Sequence, residues 1–117
     1  MVSAEDVYKA ASEGNLAEVL KKCENINNVK DLYGRTALHL AAINGNVEAV
    51  HLLVHNNADV NEKSEGGYTP LHFAALIGHL QTAYVLIQYQ ADEDQSVSAA
   101  LISVTVQVLL DRSDDLK

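Results

Sequence analysis

The chain has 117 residues, 48% hydrophobic and 21% charged, with a formal net charge of −8. This length predicts a single domain that buries roughly two-thirds of its unfolded surface. The acidic balance and the scattered cations argue against nucleic acid as a partner, because phosphate binding needs a basic stripe.

The terminal segments and the single cysteine predict the cellular compartment of the protein. The first residues have no apolar core typical of a signal peptide. The longest apolar-rich stretch, 97–110, is too short to span a bilayer. Cys23 has no second cysteine to pair with, which fits a reducing compartment. We therefore expect a cytoplasmic or nuclear protein with no membrane partner.

Negative charge is concentrated in the second half of the chain. Between Ser64 and Ser96 there is no Lys or Arg, while Glu65, Asp92, Glu93 and Asp94 are acidic. This pattern favours a solvated acidic face, with a dedicated site for a basic partner as the alternative.

The first 30 residues predict one helix–turn–helix unit. Small and apolar residues at 10–16 surround Gly14, and Val19 and Leu20 follow. Glu5 and Asp6 open the first helix, where negative charge suits the positive end of the helix dipole.

The central part of the chain repeats itself. Thr-Ala-Leu-His-Leu-Ala-Ala at 36–42 returns 33 residues later as Thr-Pro-Leu-His-Phe-Ala-Ala at 69–75. Ala58-Asp59 returns as Ala91-Asp92 at the same displacement. Such a period indicates stacked supersecondary units, none of which can bury its apolar face alone.

Each central unit begins with a turn and a short helix. Thr36 and Thr69 are predicted to cap helices over 37–44 and 70–77, and Pro70 suits the first helical position. The turns contain Gly34 and Gly67, and the helices are predicted to end at left-handed glycines, Gly45 and Gly78.

A second helix follows in each unit, predicted over 47–56 and 80–89. The residues expected on the apolar side are Val47, Val50, Leu52, Leu53, Leu80, Ala83, Leu86 and Ile87. Asn57 can end the first of these helices because Asn tolerates left-handed backbone. Gln90 holds the equivalent place and does not tolerate it, so strain or fraying is expected there.

The last segment, 97–117, follows the pattern loosely. Ala-Ala-Leu-Ile at 99–102 echoes 74–77, and Val-Gln-Val-Leu-Leu at 106–110 echoes a second helix, but Ser103 replaces the glycine. A degenerate C-terminal unit is the preferred interpretation. The β-branched residues leave a strand or a rearranged helix open.

These motifs resemble the ankyrin repeat, whose pattern is a turn, T-P-L-H-x-A-A, Gly and a second helix ending near G-A-D-V-N. The resemblance is specific over 31–92. It implies an all-α solenoid of stacked helix–turn–helix units with short hairpin-like loops. It divides the chain into a capping repeat (1–30), two repeats (31–63 and 64–96) and a degenerate capping repeat with tail (97–117).

Candidate catalytic and metal-binding residues are few. The resemblance implies that His39 and His72 bond the capping threonines rather than act in catalysis. His51 and His55 have a spacing that can bind zinc, but no further ligand accompanies them. No nucleophile motif or phosphate-cradling loop is present. We expect no enzymatic activity, no metal and no cofactor.

The resemblance implies a protein-binding surface at the hairpin tips and along the exposed side of the first helices. Tyr with aliphatic neighbours is typical of binding hot spots. The predicted contact residues are Leu32, Tyr33, Arg35, Ile43, Asn44, Glu65, Tyr68, Leu76 and Ile77. The implied function is an adaptor, scaffold or inhibitor that binds a protein, and the alternative is a docking arm of a larger enzyme or channel.

Two further expectations concern single regions. Asn61, in the segment 53–61, resembles the acceptor of asparaginyl β-hydroxylation in ankyrin repeats, and a plain turn-stabilising Asn is the alternative. The C-terminal segment is apolar on several sides, so we expect weak self-association or an atypical packing that covers it.

Overall fold

The structure is a computed structural model that describes residues 2–15, 17–18, 21 and 25–93, of which 90–93 are described for the backbone only. Within these ranges it contains five α-helices with defined bounds, further helical residues at 17–18 and 21, one 3-10 turn at Ile26–Asn28 and no strand. The helices are α1 (Ala4–Glu13), α2 (Ala37–Asn44), α3 (Val47–His55), α4 (Pro70–Ile77) and α5 (Leu80–Glu93). Cys23, the C-terminal capping unit and its self-association lie outside the described residues.

The first helices of the units stack beside one another, and the second helices form a layer behind them. Helix α2 packs against α1 on one side and α4 on the other, while α3 packs against α5. Helix α2 also packs against α3, and α4 against α5. The predicted all-α stack is therefore confirmed.

The starts of the first helices follow from their capping residues. The hydroxyls of Thr36 and Thr69 accept hydrogen bonds from the backbone N–H groups of His39 and His72. Pro70 is the first residue of α4. At α1 the capping residue is Ser3, which forms a reciprocal pair with Asp6. We predicted Asp6 only as a dipole partner, so this capping pair was missed.

The ends of the first helices also match the prediction. Gly45 and Gly78 adopt left-handed backbone, with φ of 67° and 94°. At Gly45 a side chain is excluded for a second reason, because an added Cβ would lie 2.7 Å from the His79 ring. Helix stop and close packing of the next unit therefore require the same glycine.

The second helices end differently from each other. Helix α3 ends at His55, and Asn57 takes the left-handed conformation with φ of 73°, as predicted. Helix α5 continues to Glu93. The predicted end at residue 89, with strain or fraying at Gln90, is wrong, because Gln is a good helix former and simply extends the helix.

The core is built from small and branched residues. Alanines at the helix contacts (Ala41, Ala42, Ala49, Ala74, Ala83) are fully buried or nearly so, which allows the helices to approach closely. The prediction is wrong for two residues of the apolar side, Leu52 and Leu80, which are exposed. Leu52 adjoins buried Leu53, and neighbours on a helix point about 100° apart. Leu80 begins α5, beyond the face that Ala83 and Leu86 bury.

Candidate protein-binding surface

The first hairpin, 31–35, is closed by one carboxylate. Asp31 Oδ1 accepts hydrogen bonds from the backbone N–H groups of Tyr33 and Arg35, each at 2.9 Å. Asp31 Oδ2 lies 2.7 Å from Arg35 Nε. The Arg35 guanidinium also lies over the Tyr33 ring, 5.0 Å from its centroid. Within the hairpin, Arg35 therefore packs against the Tyr33 ring. Tyr33 nevertheless remains 64% exposed.

The environment of Asp31 favours its charged form. Partial burial raises the pKa of Asp31, but hydrogen bonds from the backbone and side chain of Arg35 and from the backbone of Tyr33 outweigh it. The net effect holds the pKa below its ordinary value of 3.8. Arg35 and Asp31 therefore form a neutral pair across the neutral pH range.

The second hairpin, 64–68, is closed by a serine. The Ser64 backbone N–H donates to the Tyr68 carbonyl at 2.8 Å, and Ser64 Oγ accepts from the Tyr68 backbone N–H at 3.3 Å. The Tyr68 ring lies edge-on to His72, with centroids 5.9 Å apart, and tilted against Phe73 at 5.6 Å. Tyr68 remains 45% exposed.

One hydrogen bond joins the two hairpins to each other, and another joins helix α2 to the second hairpin. The Glu65 backbone N–H donates to the Tyr33 carbonyl at 2.9 Å. The Tyr68 carbonyl accepts from His39 Nε2 at 2.9 Å. Because both bonds use backbone atoms of the hairpins, they fix the separation of the two tyrosines rather than the rotamer of either.

His39 links Thr36 to the next unit. Its Nδ1 accepts from the Thr36 backbone N–H at 3.1 Å and lies 2.9 Å from Thr36 Oγ1. With Nδ1 accepting, the neutral ring carries its proton on Nε2, which faces the Tyr68 carbonyl. Burial lowers the pKa of His39, although the Tyr68 carbonyl opposes this. The predicted pairing of His39 with Thr36, and of His72 with Thr69 at 2.9 Å, is confirmed.

A surface groove of about 420 Å³ lies between the two hairpins. We call it the hairpin groove. The residues that line it are Tyr33, Arg35, Ser64, Glu65, Gly66, Tyr68 and Phe73. Gly66 lets the Tyr68 ring lie close to the backbone, since a Cβ at this position would be 3.1 Å from two ring carbons.

The structure brings together four of the nine predicted contact residues. Tyr33, Arg35, Glu65 and Tyr68 line the hairpin groove, and Leu32 is exposed at the first hairpin tip. The other four lie at the far ends of the first helices, roughly 12 Å away along eight-residue helices. These are Ile43, Asn44, Leu76 and Ile77.

The far-end residues have different surroundings. The Ile43 carbonyl accepts from His79 Nε2 at 3.1 Å, and Ile43 is half-buried. Asn44 Nδ2 donates to the Leu40 carbonyl at 2.7 Å. Leu76 and Ile77 are exposed. This group extends the candidate surface but does not form part of the hairpin groove.

Sequence reasoning missed two kinds of residue. Phe73 and Ser64 line the hairpin groove, and the only sequence signal for Phe73 is an aromatic residue where the preceding unit has Leu40. Exposed apolar residues on the second helices were also missed, Tyr84 among them at 60% exposure. Tyr84 Oη accepts from Gln88 Nε2 at 3.1 Å.

His51 and His55 lie on the second helix α3. His51 Nδ1 is 2.6 Å from Tyr89 Oη, and the His51 ring stacks on His55. Within the described part of the chain, no group of three or more His, Cys, Asp or Glu residues is placed to hold a metal ion. None of the helices that the structure describes is both long and apolar enough to cross a bilayer.

The turn that contains Asn61 is stabilised by a different side chain. Asp59 Oδ1 accepts a hydrogen bond from the Asn61 backbone N–H at 2.9 Å. The Asn61 side chain is half-buried. Its hydroxylation stays a prediction.

Comparison with known families agrees with this architecture. The sequence model described as Ankyrin repeats (3 copies) matches residues 7–97, more than three-quarters of the chain. The protein belongs to the ankyrin-repeat family. Ankyrin repeats are generally protein–protein interaction modules and are generally non-catalytic.

Proposed function

We propose that this chain is a small adaptor, scaffold or inhibitor that binds a protein partner through its hairpins and first helices. The observation that carries the proposal is the pair of exposed tyrosines, Tyr33 and Tyr68, which line one groove. One backbone hydrogen bond between the hairpins and one bond from the His39 side chain to the Tyr68 carbonyl fix their separation. Tyrosine supplies a large contact area at low entropic cost, which is why it is enriched at interfaces.

The proposed surface is centred on Leu32, Tyr33, Arg35, Glu65 and Tyr68. Its second part, at the helix ends, comprises Ile43, Asn44, Leu76 and Ile77. The hairpins are suited to binding because the side chains of Asp31 and Ser64 each accept backbone hydrogen bonds within their own hairpin. These bonds hold the hairpins in one conformation. In this proposal the chain acts by binding alone, in the cytoplasm or nucleus, with 1–30 and 97–117 as terminal units.

The test is proximity labelling in the native cell with matched variants. Tyr33→Ala combined with Tyr68→Ala removes the two groove tyrosines. Tyr84→Ala removes a tyrosine of similar exposure from the second-helix side and serves as control. We expect the partner to disappear with the first variant and remain with the second. Equal labelling by both variants would contradict the proposed surface.

The alternative is that this chain is one arm of a larger enzyme or channel, and that the same surface docks that larger protein onto a partner. The full-length transcript distinguishes the two. An open reading frame that continues into a catalytic or membrane domain would favour the docking arm.

We also propose Asn61 as an acceptor of β-hydroxylation, on the family resemblance of its segment. Mass spectrometry of the chain purified from its native cell checks this proposal. A fragment containing Asn61 should gain the mass of one oxygen atom, and Asn61→Gln should abolish the gain.

A further inference from the structure

The hairpin groove has an unbalanced charge at its rim. Arg35 is neutralised by Asp31, since Nε and Oδ2 are 2.7 Å apart. Glu65 is exposed, and no ion pair to it is found among the residues with described side chains. Lys63 is close in sequence but does not line the groove. Its charge is felt at His72, where burial and then Lys63 lower the pKa of the imidazole. Among the charged residues that line the groove, Arg35 thus has an ion-pair partner, and Glu65 has none among the described side chains.

The backbone of Glu65 is attached to the first hairpin by a hydrogen bond. The Glu65 N–H donates to the Tyr33 carbonyl. The groove also contains the rings of Tyr33, Tyr68 and Phe73. A carboxylate beside several aromatic rings is a suitable environment for a cationic side chain, which gains from both the charge and the ring quadrupoles.

The first hairpin already contains such an arrangement within one chain. There the Arg35 guanidinium lies over the Tyr33 ring while it pairs with the Asp31 carboxylate. In the second hairpin the residues at the equivalent places of the 33-residue period are Tyr68 for Arg35 and Ser64 for Asp31. The second hairpin, 64–68, thus contains an acid, Glu65, and no cation of its own.

We propose that the hairpin groove selects a partner segment carrying an arginine or lysine side chain that pairs with Glu65 and lies against Tyr68. This inference rests on the proposed function and specifies the chemistry of its partner. The formal net charge of −8 supports it, because an acidic protein attracts and steers basic segments at low salt.

The probe is a library of random linear peptides displayed on phage and selected on the whole chain. Peptides that also bind the Tyr33→Ala/Tyr68→Ala double variant are removed by counter-selection. A parallel selection uses Glu65→Lys, which reverses the charge at the rim. Circular dichroism first establishes that each variant is folded like the wild type.

We expect tyrosine-dependent peptides to be enriched in Arg or Lys at one position on the wild type, and in Asp or Glu on Glu65→Lys. In a synthetic copy, replacing that cation with Gln should weaken binding roughly three- to thirtyfold. The same replacement should matter less on Glu65→Gln. Gly66→Ala, which crowds the Tyr68 ring, should also weaken binding while leaving stability nearly unchanged.

The outcomes separate this inference from the proposed function. Tyrosine-dependent peptides without a cation preference would overturn the inference and leave the proposed surface intact. The same cation preference on Glu65→Lys as on the wild type would also overturn it. A selection that yields no tyrosine-dependent peptide would contradict both the surface and the inference.

Discussion

The two hairpins, 31–35 and 64–68, hold equivalent places in the repeat but are stabilised differently. The first is closed by a charged pair, with Asp31 bonded to Arg35 and to the backbone. The second is closed by Ser64 and leaves Glu65 exposed and Tyr68 half-open to solvent. The helices behind them begin with the same threonine–histidine cap. The repeat motif thus determines the helices, while the residues outside it determine what each hairpin offers to a partner.

The largest expected effect is on the free energy of unfolding, and it should differ between the two capping histidines, His39 and His72. His39→Ala removes a buried ring that bonds Thr36 and the Tyr68 carbonyl. We expect a loss of about 3–5 kcal/mol in the free energy of unfolding, from the cavity and the unpaired polar groups. His72→Ala, at a less buried site, should cost about 1–3 kcal/mol. Urea denaturation of both variants measures this, and equal losses would contradict the bridging role of His39.

A smaller difference is expected between the hairpin glycines. Gly34 and Gly67 both have positive φ, but a Cβ on Gly34 would lie 2.9 Å from the Glu65 backbone nitrogen. No such contact is found at Gly67 among the described residues. Gly67→Ala should cost about 1–2 kcal/mol for the left-handed backbone, and Gly34→Ala about 2–4 kcal/mol with crowding added. Thermal denaturation of the pair checks this order.

The ends of the second helices give the next comparison. Asn57 is left-handed and ends α3, whereas α5 continues through residue 90. Asn57→Ala should destabilise the chain by about 1 kcal/mol, because Ala adopts this backbone poorly. Asn57→Gly should be neutral or slightly stabilising. Chemical denaturation of both variants is the measurement, and a stabilising Asn57→Ala would contradict the assignment of the cap.

The smallest effect is a dependence of stability on pH. Burial lowers the pKa of both His39 and His72 below the ordinary value of 6.5. The unfolded chain then binds protons more readily than the folded chain as the pH falls below 6.5. The contribution of these histidines to the free energy of unfolding should therefore be complete above pH 6.5 and should be lost as the pH falls below it.

Denaturation at several pH values measures this loss, with His72→Gln as the comparison. Because one of the two histidines with a lowered pKa is removed, the variant should lose less stability over the same range. A loss as large as in the wild type would show that His72 does not contribute.

Much of the fold could be predicted from sequence because the period and the caps are local signals. Thr36, Gly45 and Asn57 each act within one turn of their own position, and all three were predicted correctly. Gln90 was not, because its outcome depends on how well the following residues continue the helix. The exposure of Leu52 and Leu80 depends on packing between units, which the pattern does not specify.

The site was harder to predict than the fold. Tyr33 and Tyr68 stood out as aromatic residues at variable positions, but Phe73 lies inside the helix motif and carries no sign that it lines a groove. The bonds that set the geometry, from Glu65 to Tyr33 and from His39 to Tyr68, join residues about 30 positions apart. Only the stacked structure brings them together.

Hydrogen–deuterium exchange on the chain with its captured partner tests the central claim most directly. Binding at the hairpin side should slow exchange at 32–35 and 65–68, while the outer part of α5 around Tyr84 keeps the rate of the free chain. Slower exchange confined to the second helices, with the hairpins unchanged, would contradict the proposed surface.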